Sequence, residues 1–357
     1  MNRIFLIIIP SLVPSGPVKG AIALANKLVN RGSVHLVVLK SGPGPSAEID
    51  ERVHHTYLWH YSHFFPAKIY HYRQLLAQLS QSAQLISISF CFSADLLNFF
   101  CRNKALICTS VRGNLPVNYH MDYGLKGLLL SCFHLFMLRR FHIVFTMTSE
   151  MSKQVSRFIG YRPPIVGNFI DEFPLYRYRD VPKPTSSPCF IFVGSLTTRK
   201  RPDLLIHSLK VLHNEGYLPT LDIVGDGPLM QPMLSLAADL GLSDYVNFHG
   251  HLEQPYSLVR ASDALVLPSM SEGMSRAAME ALFLGTPCVL RRVDGNQSLI
   301  TSGFNGILFD TDGDLPNAMV KVLQLRISPF TKLLPSSCSQ DVQTLKFLRI
   351  LDQLFHD

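Results

Sequence analysis

Short, almost continuous apolar runs recur along the first half of the chain, separated by turns and by longer amphipathic stretches. Uninterrupted apolar runs of this length are typical of strands that a parallel sheet buries on both faces. The predicted strands of this half are "RIFLIII", "VHLVVL", "AQLISISF", "ALICTSV" and "HIVFTMT". The stretch "KGAIALANKLVNRG", between the first two, has a helical pattern that ends at Gly32. Because strands alternate with helices, we predict an α/β domain with a parallel sheet covered on both faces.

The same alternation begins again after a polar, proline-rich stretch, "YRYRDVPKPTSSP" at residues 176–188, which we predict to be a linker. The predicted strands beyond it are "CFIFVG", "LDIVGDG", "VNFHG", "DALVLP" and "PCVLR", and the predicted helices are "RPDLLIHSLKVLHNEG" and "MLSLAADLG". A length of 357 residues suits two domains better than one. We therefore predict two Rossmann-like α/β domains in tandem, at residues 1–175 and 186–335.

Ligands of open parallel sheets bind beyond the carboxyl ends of the strands, and the natural site of two such domains is the cleft between them. The strand exit "VGSLTTRKRP" delivers three cations, Arg199, Lys200 and Arg201, just before a helix that begins near Pro202. Cations at a helix N-terminus oppose the helix dipole, whereas lysine and bidentate arginine hold a diphosphate well. The pattern favours a diphosphate site, and a solvated basic turn is the alternative.

A second strand exit, "DALVLPSMSEGMSRAAMEALFLG", carries Glu272 in its loop and Glu280 inside the following helix, which begins near Ser275. The N–H groups of residues 273–276 would face an anion such as phosphate. The Glu280 carboxylate can accept two hydrogen bonds from a vicinal diol such as a ribose. A nucleoside diphosphate sugar satisfies all three features, with its sugar at Glu272. The alternative places Glu280 on the surface and makes Glu272 a dipole partner of the first helical turn.

Glycine turns end several other predicted strands. Phe248 and Gly250, in "VNFHGHL", stand where backbone amides would contact the edge of a base. In the first half, Gly16 lies in the loop "PSLVPSGPVKG" after the first strand, and Arg112 and Asn114 follow the strand "ALICTSV". An ordinary turn is the alternative for the latter pair. The first loop lacks the GxGxxG pattern of nicotinamide-binding domains, so a dehydrogenase is disfavoured.

Composition adds charge to this picture. The chain carries 33 basic and 26 acidic side chains, for a formal charge of +7. A basic excess suits phosphate-rich ligands, nucleic acid or an anionic membrane face, and a solvated basic surface is the alternative. The sequence contains no recognised nucleic-acid-binding module. The seven cysteines form no CxxC pair and lie mostly in apolar runs, so we predict buried thiols in a reducing compartment.

Apolar segments for targeting or membrane insertion are not predicted. No run reaches the roughly 18 to 20 apolar residues of a membrane-spanning helix. The apolar run at the N-terminus stops at Pro10 and turns into a glycine loop. We therefore predict a first buried strand there and not a signal peptide.

In their order and spacing, the segments described above resemble the GT4 family of retaining glycosyltransferases. The resemblance covers residues 140–310 approximately and is strongest in the E-x7-E pair, Glu272 and Glu280. Its other segments are "VGNFID", "VGSLTTRKRPDLLI", "IVGDGPL", "FHGHL" and "SGFNGILF". The resemblance implies the GT-B fold, in which two Rossmann-like domains face each other across a cleft. It also implies that the last helix, about residues 338–357, returns to the N-terminal domain.

The same resemblance implies a role for each donor-site residue. Glu272, Lys200 and Arg199 would act at the reacting centre, with Lys200 on the donor diphosphate and Glu272 on the transferred sugar. Glu280 would hold the ribose of a UDP- or GDP-sugar. The remaining predicted donor contacts are Gly273, Met274, Ser275, Arg201, Phe248, Gly250 and Gly16.

At two positions the chain departs from the family pattern. Ser195 stands where an arginine usually follows the strand glycine, so Arg199 or Arg201 would take the place of that arginine. Ser298 stands where the family usually has a glutamate. Both departures leave the E-x7-E pair intact.

The implied chemistry needs no metal and no other cofactor. Lys200, a neighbouring arginine and the helix N-terminus would stabilise the charge that grows on the leaving nucleoside diphosphate. The acidic run "DTDGD", residues 310–314, is predicted to be a turn and not a metal-binding pair. Retention would follow front-face attack, in which the leaving phosphate takes the acceptor proton, and a covalent intermediate is the alternative.

Two stretches of the N-terminal half, residues 58–76 and 123–145, mix aromatic residues, leucines and cations. Such segments lie at bilayer interfaces, and core helices are the alternative. The resemblance favours the interface, because many such enzymes act on lipid-linked acceptors. We expect a cytoplasmic enzyme, peripheral to the inner membrane, that extends a polyprenyl-diphosphate-linked glycan of O-antigen or capsule. The competing hypotheses are another GT-B enzyme, such as a nucleotide-sugar epimerase, and a non-catalytic nucleotide-sugar-binding partner subunit.

Overall fold

The computed structural model describes residues 3–13, 15–42, 44, 48–168, 170–180, 188–327 and 331–354. The chain divides into two units, Met1–Phe169 with Asp341–Asp357, and Ile170–Gln340. The sequence placed the end of the first domain at residue 175, six residues later. Most of the predicted linker, residues 181–187, lies outside the described residues. The residues just before it form a short 3-10 helix, Phe173–Tyr178, which belongs to the second unit.

The first unit is built on a six-stranded parallel sheet. Its strands are β1 (Arg3–Ile9), β2 (Ser33–Val38), β3 (Val53–Tyr57), β4 (Gln84–Ser89), β5 (Leu106–Val111) and β6 (Ile143–Thr146). Its helices are α1 (Gly16–Leu28), α2 (Phe65–Leu79), α3 (Phe92–Cys101), α4 (Leu115–Leu138) and α5 (Ser149–Ile159). The strand order is β3-β2-β1-β4-β5-β6, so the order reverses between β1 and β4. This is the Rossmann order, in which ligands bind where the strand order reverses.

The second unit repeats this topology. Its strands are β7 (Cys189–Val193), β8 (Thr220–Val224), β9 (Val246–Gly250), β10 (Ala264–Leu267), β11 (Cys288–Arg291) and β12 (Gly306–Phe309). Its helices are α6 (Asp203–Asn214), α7 (Met230–Asp239), α8 (Tyr256–Ala261), α9 (Arg276–Leu284) and α10 (Leu315–Leu323). The order β12-β11-β10-β7-β8-β9 reverses between β7 and β10. The equivalent reversal points therefore lie at β1 and β4 in one unit and at β7 and β10 in the other.

The last helix, α11 (Gln340–Gln353), lies against the first unit. Phe347 packs its ring 4.8 Å from that of Phe145, at the end of the first sheet. An ion pair joins Asp341 to Lys27 at 2.7 Å. The C-terminal segment therefore completes a core that the N-terminal residues begin.

Strand β1 shows why the apolar runs are continuous. Phe5, Ile7 and Ile9 face a core shared with α1 and α11, whereas the alternate residues of the strand face α2 and α3. Both faces of the sheet are covered, so every position of the strand from Ile4 to Ile9 is apolar.

Two features of the first unit were not predicted from the sequence. Strand β3, "VHHTY", lies at the sheet edge and exposes His54 and His55, so it lacks the apolar run of the inner strands. Helix α4 bends sharply at Gly124, where φ is +61° and ψ is −143°. A Cβ on Gly127 would come within 1.8 Å of the Tyr119 carbonyl oxygen, so the two halves of α4 pack directly against each other.

The cysteines are all unpaired thiols, four of them buried. Cys132, on α4, is exposed, so the prediction of a buried thiol is wrong at that position.

Candidate active site

The loops that leave β7 and β10 meet at the reversal point of the second sheet. The Met270 amide donates to the Arg199 carbonyl oxygen at 2.9 Å, and Arg199 Nη1 donates to the Ser271 carbonyl oxygen at 3.3 Å. These bonds align the two loops so that Lys200 Nζ forms an ion pair with Glu272 Oε1. The structure thus brings together the three residues that the sequence assigned to the reacting centre.

The Lys200–Glu272 pair is largely withdrawn from solvent, with side chains 17% and 9% exposed. A charge at such a position is stable only with a partner, because desolvation is costly. A phosphate bound at Lys200 would share the lysine ammonium group with Glu272. The pair therefore places a positive charge and a carboxylate side by side at the carboxyl ends of β7 and β10.

Glu280 lies deeper, on α9. The Ser275 side chain caps this helix by accepting a bond from the Ala278 amide at 3.4 Å, as the sequence predicted for a start near Ser275. Glu280 is only 7% exposed, and Arg276 Nε donates to its Oε1 at 2.8 Å. The alternative that Glu280 is a surface residue is therefore wrong. Burial, and next the Glu280 carboxylate, raise the pKa of the nearby Tyr256 phenol.

The N-terminal end of α9 is buried together with Glu272. Gly273, Met274 and Ser275 are all buried and lie between the loop glutamate and the first helical turn. Their backbone precedes the helix, where N–H groups have no acceptor within the helix. The predicted anion site lies at this end of the helix.

Two aspartates bind the Arg201 guanidinium. Its backbone has a φ of +50°, and its guanidinium binds Asp203 at 3.2 Å and Asp312 at 3.1 Å. Asp312 also accepts a 2.5 Å bond from Arg291, and this bond, with Arg201, lowers the pKa of the Asp312 carboxyl. From the sequence, "DTDGD" is predicted to be a turn, and no partner is predicted for Asp312. The acidic run was the only signal of these ion pairs in the sequence, because Arg201 and Arg291 lie far from it along the chain.

Two glycines let neighbouring strand exits touch through their backbones. A Cβ on Gly225, whose φ is +141°, would lie 1.8 Å from the Gly194 carbonyl oxygen. A Cβ on Gly295 would lie 1.5 Å from the Gly273 carbonyl oxygen. Glycine is required at both positions because the contacting atoms are backbone atoms. The loop after β11 therefore supports the loop that carries Glu272.

The remaining predicted donor contacts are more dispersed. Phe248 and Gly250 lie on β9, the edge strand, and Gly250 has a φ of +65°. The Gly250 carbonyl oxygen accepts from the Gly225 amide at 2.7 Å, which connects β9 to the glycine turn after β8. Gly16 belongs to the first unit, where it is the first residue of α1. A Cβ on Gly16 would meet nothing within 4 Å, so the start of α1 is open.

Three buried polar atoms near these loops were not predicted from the sequence. Thr197 Oγ1, Ser269 Oγ and Asn296 Oδ1 have no hydrogen-bond partner among the described residues. They lie in the exit loops of β7, β10 and β11. Buried polar groups are almost always satisfied, so these atoms mark positions where a ligand or water would supply the missing bond.

The described part of the chain contains neither a metal-binding cluster nor a membrane-spanning helix. There, no three His, Cys, Asp or Glu side chains are grouped so that they could hold a metal ion. Within the same ranges, no helix combines the length and the apolarity needed to cross a bilayer.

Part of the chain matches a family of known proteins. Residues 178–329 match the family described as "Glycosyl transferases group 1". The match covers most of the second unit and less than half of the chain. The family match spans Lys200, Glu272 and Glu280, so these residues lie inside the group 1 region.

Two curated relatives resemble this group 1 region. An Escherichia coli UDP-Gal:alpha-D-GlcNAc-diphosphoundecaprenol alpha-1,3-galactosyltransferase is 32% identical over 138 residues, covering 37% of this chain and 36% of that protein. A D-inositol 3-phosphate glycosyltransferase of Frankia alni is 38% identical over 131 residues, covering 33% of this chain and 32% of that protein. The match spans about a third of the length of either relative.

The whole chain shares its fold with solved glycosyltransferases. The apo form of the lipopolysaccharide outer core galactosyltransferase WaaB aligns with a TM-score of 0.69 and 17% identity, over 98% of this chain and 99% of that chain. The predicted fold class, two Rossmann-like units of the GT-B type, is confirmed.

Proposed function

We propose that the protein is a retaining glycosyltransferase that moves a hexosyl or N-acetylhexosaminyl group from a UDP- or GDP-sugar to a lipid-linked glycan. The biological process would be surface polysaccharide synthesis, of O-antigen or capsule. One observation carries the proposal: Lys200, Glu272 and the N-terminal end of α9 converge at the reversal point of a group 1 sheet. The names of the E. coli relative and of WaaB support the acceptor class.

In this proposal the diphosphate of the donor binds Lys200, Arg199 and the amides of residues 273–275. The charge that develops on the leaving diphosphate is stabilised by fixed donors and not by a metal ion. Glu272 contacts the transferred sugar, and Glu280 accepts hydrogen bonds from the ribose hydroxyls. Arg276 holds the Glu280 carboxylate in place.

The donor site is tested with a panel of UDP- and GDP-sugars, by thermal shift and by nucleotide release. We expect one nucleotide sugar to stabilise the wild type and Glu280→Gln to weaken its binding about tenfold to a hundredfold, because hydrogen bonds to a charged acceptor are lost. Glu215→Gln is the matched control, since Glu215 is exposed at the end of α6. If no nucleotide sugar shifts the wild type, the proposal fails and a non-catalytic partner role takes its place.

Product analysis separates the remaining candidates. A transferase releases nucleoside diphosphate and lengthens the acceptor, whereas an epimerase of the same fold changes the sugar without needing an acceptor. The two relatives suggest the first acceptors to compare, α-D-GlcNAc-diphosphoundecaprenol and D-inositol 3-phosphate. Turnover with the inositol phosphate alone would contradict the lipid-linked acceptor.

We further propose that the enzyme works on the cytoplasmic face of the inner membrane. The half of α4 that follows Gly124 has one buried face and one exposed apolar face, formed by Leu125, Leu129, Phe133 and Phe136. Residues 123–149 contain no acidic side chain, while Lys126, Arg139 and Arg140 flank the apolar face. An apolar stripe bordered by cations suits an anionic lipid surface.

Vesicle flotation tests this surface. We expect the wild type to float with vesicles that contain anionic lipid, and Leu129→Glu with Phe136→Glu to bind more than about tenfold more weakly, because two apolar side chains that would enter the lipid are lost. Leu345→Glu is the control, since Leu345 is an exposed apolar residue of α11 in the same unit. Equal flotation of all three proteins, or none by the wild type, would remove the membrane from the proposal.

A further inference from the structure

A chain of buried hydrogen bonds leaves the end of β4 in the first unit. Ser89, the last residue of β4, donates to Asp95 Oδ1 at 2.6 Å. His134 Nε2 lies 2.8 Å from Asp95 Oδ2, and Tyr119 Oη lies 3.0 Å from His134 Nδ1. Asp95 and His134 are each only 2% exposed. Four side chains from β4, α3 and both halves of α4 are therefore linked into one network.

The chemistry of these groups sets the direction of the bonds. The Asp95 carboxylate only accepts hydrogen bonds, so His134 carries its proton on Nε2 and donates it to Asp95. In the neutral imidazole Nδ1 is then an acceptor, and the Tyr119 hydroxyl donates to it. The Tyr119 oxygen keeps its lone pairs, and Tyr119 is partly exposed. The network thus ends in a hydroxyl of a partly exposed residue, and that oxygen keeps lone pairs that can accept a hydrogen bond.

The network begins at the carboxyl end of β4, one of the two strands at the reversal point of the first sheet. Cys91, two residues after Ser89, has φ of +76° and ψ of 160°. That backbone region is nearly exclusive to glycine, and strain of this kind is concentrated at functional sites. Cys91 is the N-cap of α3, whose first turn carries Asp95. The strained residue therefore fixes the helix that holds the network.

The bend in α4 is what delivers Tyr119 to His134. The two residues lie on opposite sides of Gly124, and the contact of Gly127 with the Tyr119 carbonyl group folds one half onto the other. A straight helix would separate positions 119 and 134 by about 22 Å. The geometry of the network therefore depends on both glycines.

A second tyrosine of the same unit provides a contrast. Tyr72 Oη also bonds a β4 serine, Ser87, at 2.6 Å, and Ser87 donates to Asn98. Tyr72 is fully buried, so its hydroxyl contacts only the protein interior. Tyr119 differs because its hydroxyl is anchored in the same way but belongs to a partly exposed residue.

We propose that the Tyr119 hydroxyl oxygen accepts a hydrogen bond from a hydroxyl group of the acceptor saccharide, and that His134 and Asp95 are positioning residues for it. This inference rests on the proposed function and assigns part of the acceptor site to the first unit. Tyr119 binds and orients the acceptor, while the donor is bound by the group 1 region.

The test compares Tyr119→Phe with Tyr72→Phe, using α-D-GlcNAc-diphosphoundecaprenol in detergent micelles as acceptor and UDP-galactose as donor. We expect Tyr119→Phe to raise the acceptor KM about threefold to tenfold, since one hydrogen bond is lost. The donor KM and the slow release of UDP without acceptor should stay at the wild-type values. Tyr72→Phe should lower the melting temperature and leave both KM values unchanged.

Asp95→Asn tests the positioning role, because an amide can turn its N–H group toward His134 and reverse the bond to Tyr119. We expect a higher acceptor KM with an unchanged donor KM. An unchanged acceptor KM in Tyr119→Phe, with normal release of UDP, would overturn the inference and leave the donor site intact. Failure of the wild type to bind or turn over any nucleotide sugar would instead defeat the proposed function and this inference with it.

Discussion

Lys200→Met is expected to lower the rate of sugar transfer about 100-fold to 1000-fold, the usual loss when one fixed donor to a developing negative charge is removed. The Lys200 ammonium forms an ion pair with Glu272 at the strand reversal point. Arg201 is bound to Asp203 and Asp312 instead. Steady-state turnover with the donor found in the panel measures the effect.

The same substitution also leaves the Glu272 carboxylate without its partner. We expect the free energy of unfolding to fall by up to about 3 kcal/mol, the low end for a broken buried pair, because Lys200 keeps some exposure. The double variant Lys200→Met with Glu272→Gln removes both charges and should regain most of that stability while staying inactive. Recovery of activity in the double variant, or normal activity in Lys200→Met, would show that the pair is structural.

Gly295→Ala is expected to abolish donor binding and to lower the free energy of unfolding by about 3 kcal/mol or more, beyond ordinary overpacking. The new Cβ would lie 1.5 Å from the Gly273 carbonyl oxygen and 2.9 Å from the Met274 Cα. Both are backbone atoms, so no rotamer change relieves the overlap. The loop that carries Glu272 must move. Chemical denaturation and the donor thermal shift measure the two effects.

Gly313→Ala is the matched control for this substitution. Gly313 is exposed, and a Cβ there would meet only Thr311 Oγ1 at 4.0 Å. Replacement of a glycine at such a site changes stability by less than about 1 kcal/mol. If Gly295→Ala bound donor as well as Gly313→Ala does, the contact between the β10 and β11 exits would have no part in the donor site.

The strands were predictable wherever burial on both faces left its mark on the sequence. After their first residues, β1 and β4 are continuous runs of apolar or small residues, because helices cover the sheet on either side. β3 was missed because an edge strand exposes its side chains, and "VHHTY" therefore carries no apolar run. The bend in α4 was missed because its cause, a single residue at Gly124, resembles any glycine within a helical pattern.

The donor site was predictable where its residues are close in sequence. Glu272, the cap at Ser275 and Glu280 occupy one loop and one helix, so their spacing alone places them. Lys200 was predicted as a cation at a strand exit, but its pairing with Glu272 spans 72 residues and depends on the strand order. The ion pair of Arg201 with Asp312 likewise joins residues more than 100 positions apart.

The sequence by itself determined the α/β class, the repeated topology and the group of residues around α9, because local propensity, burial pattern and helix capping act over a few residues. Only the tertiary structure decided which loops meet, because the strand order reverses between β7 and β10. It also decided that Gly295 must be glycine and that Tyr119 reaches His134 and Asp95. These contacts arise from packing between distant segments, which leaves no periodic signal along the chain.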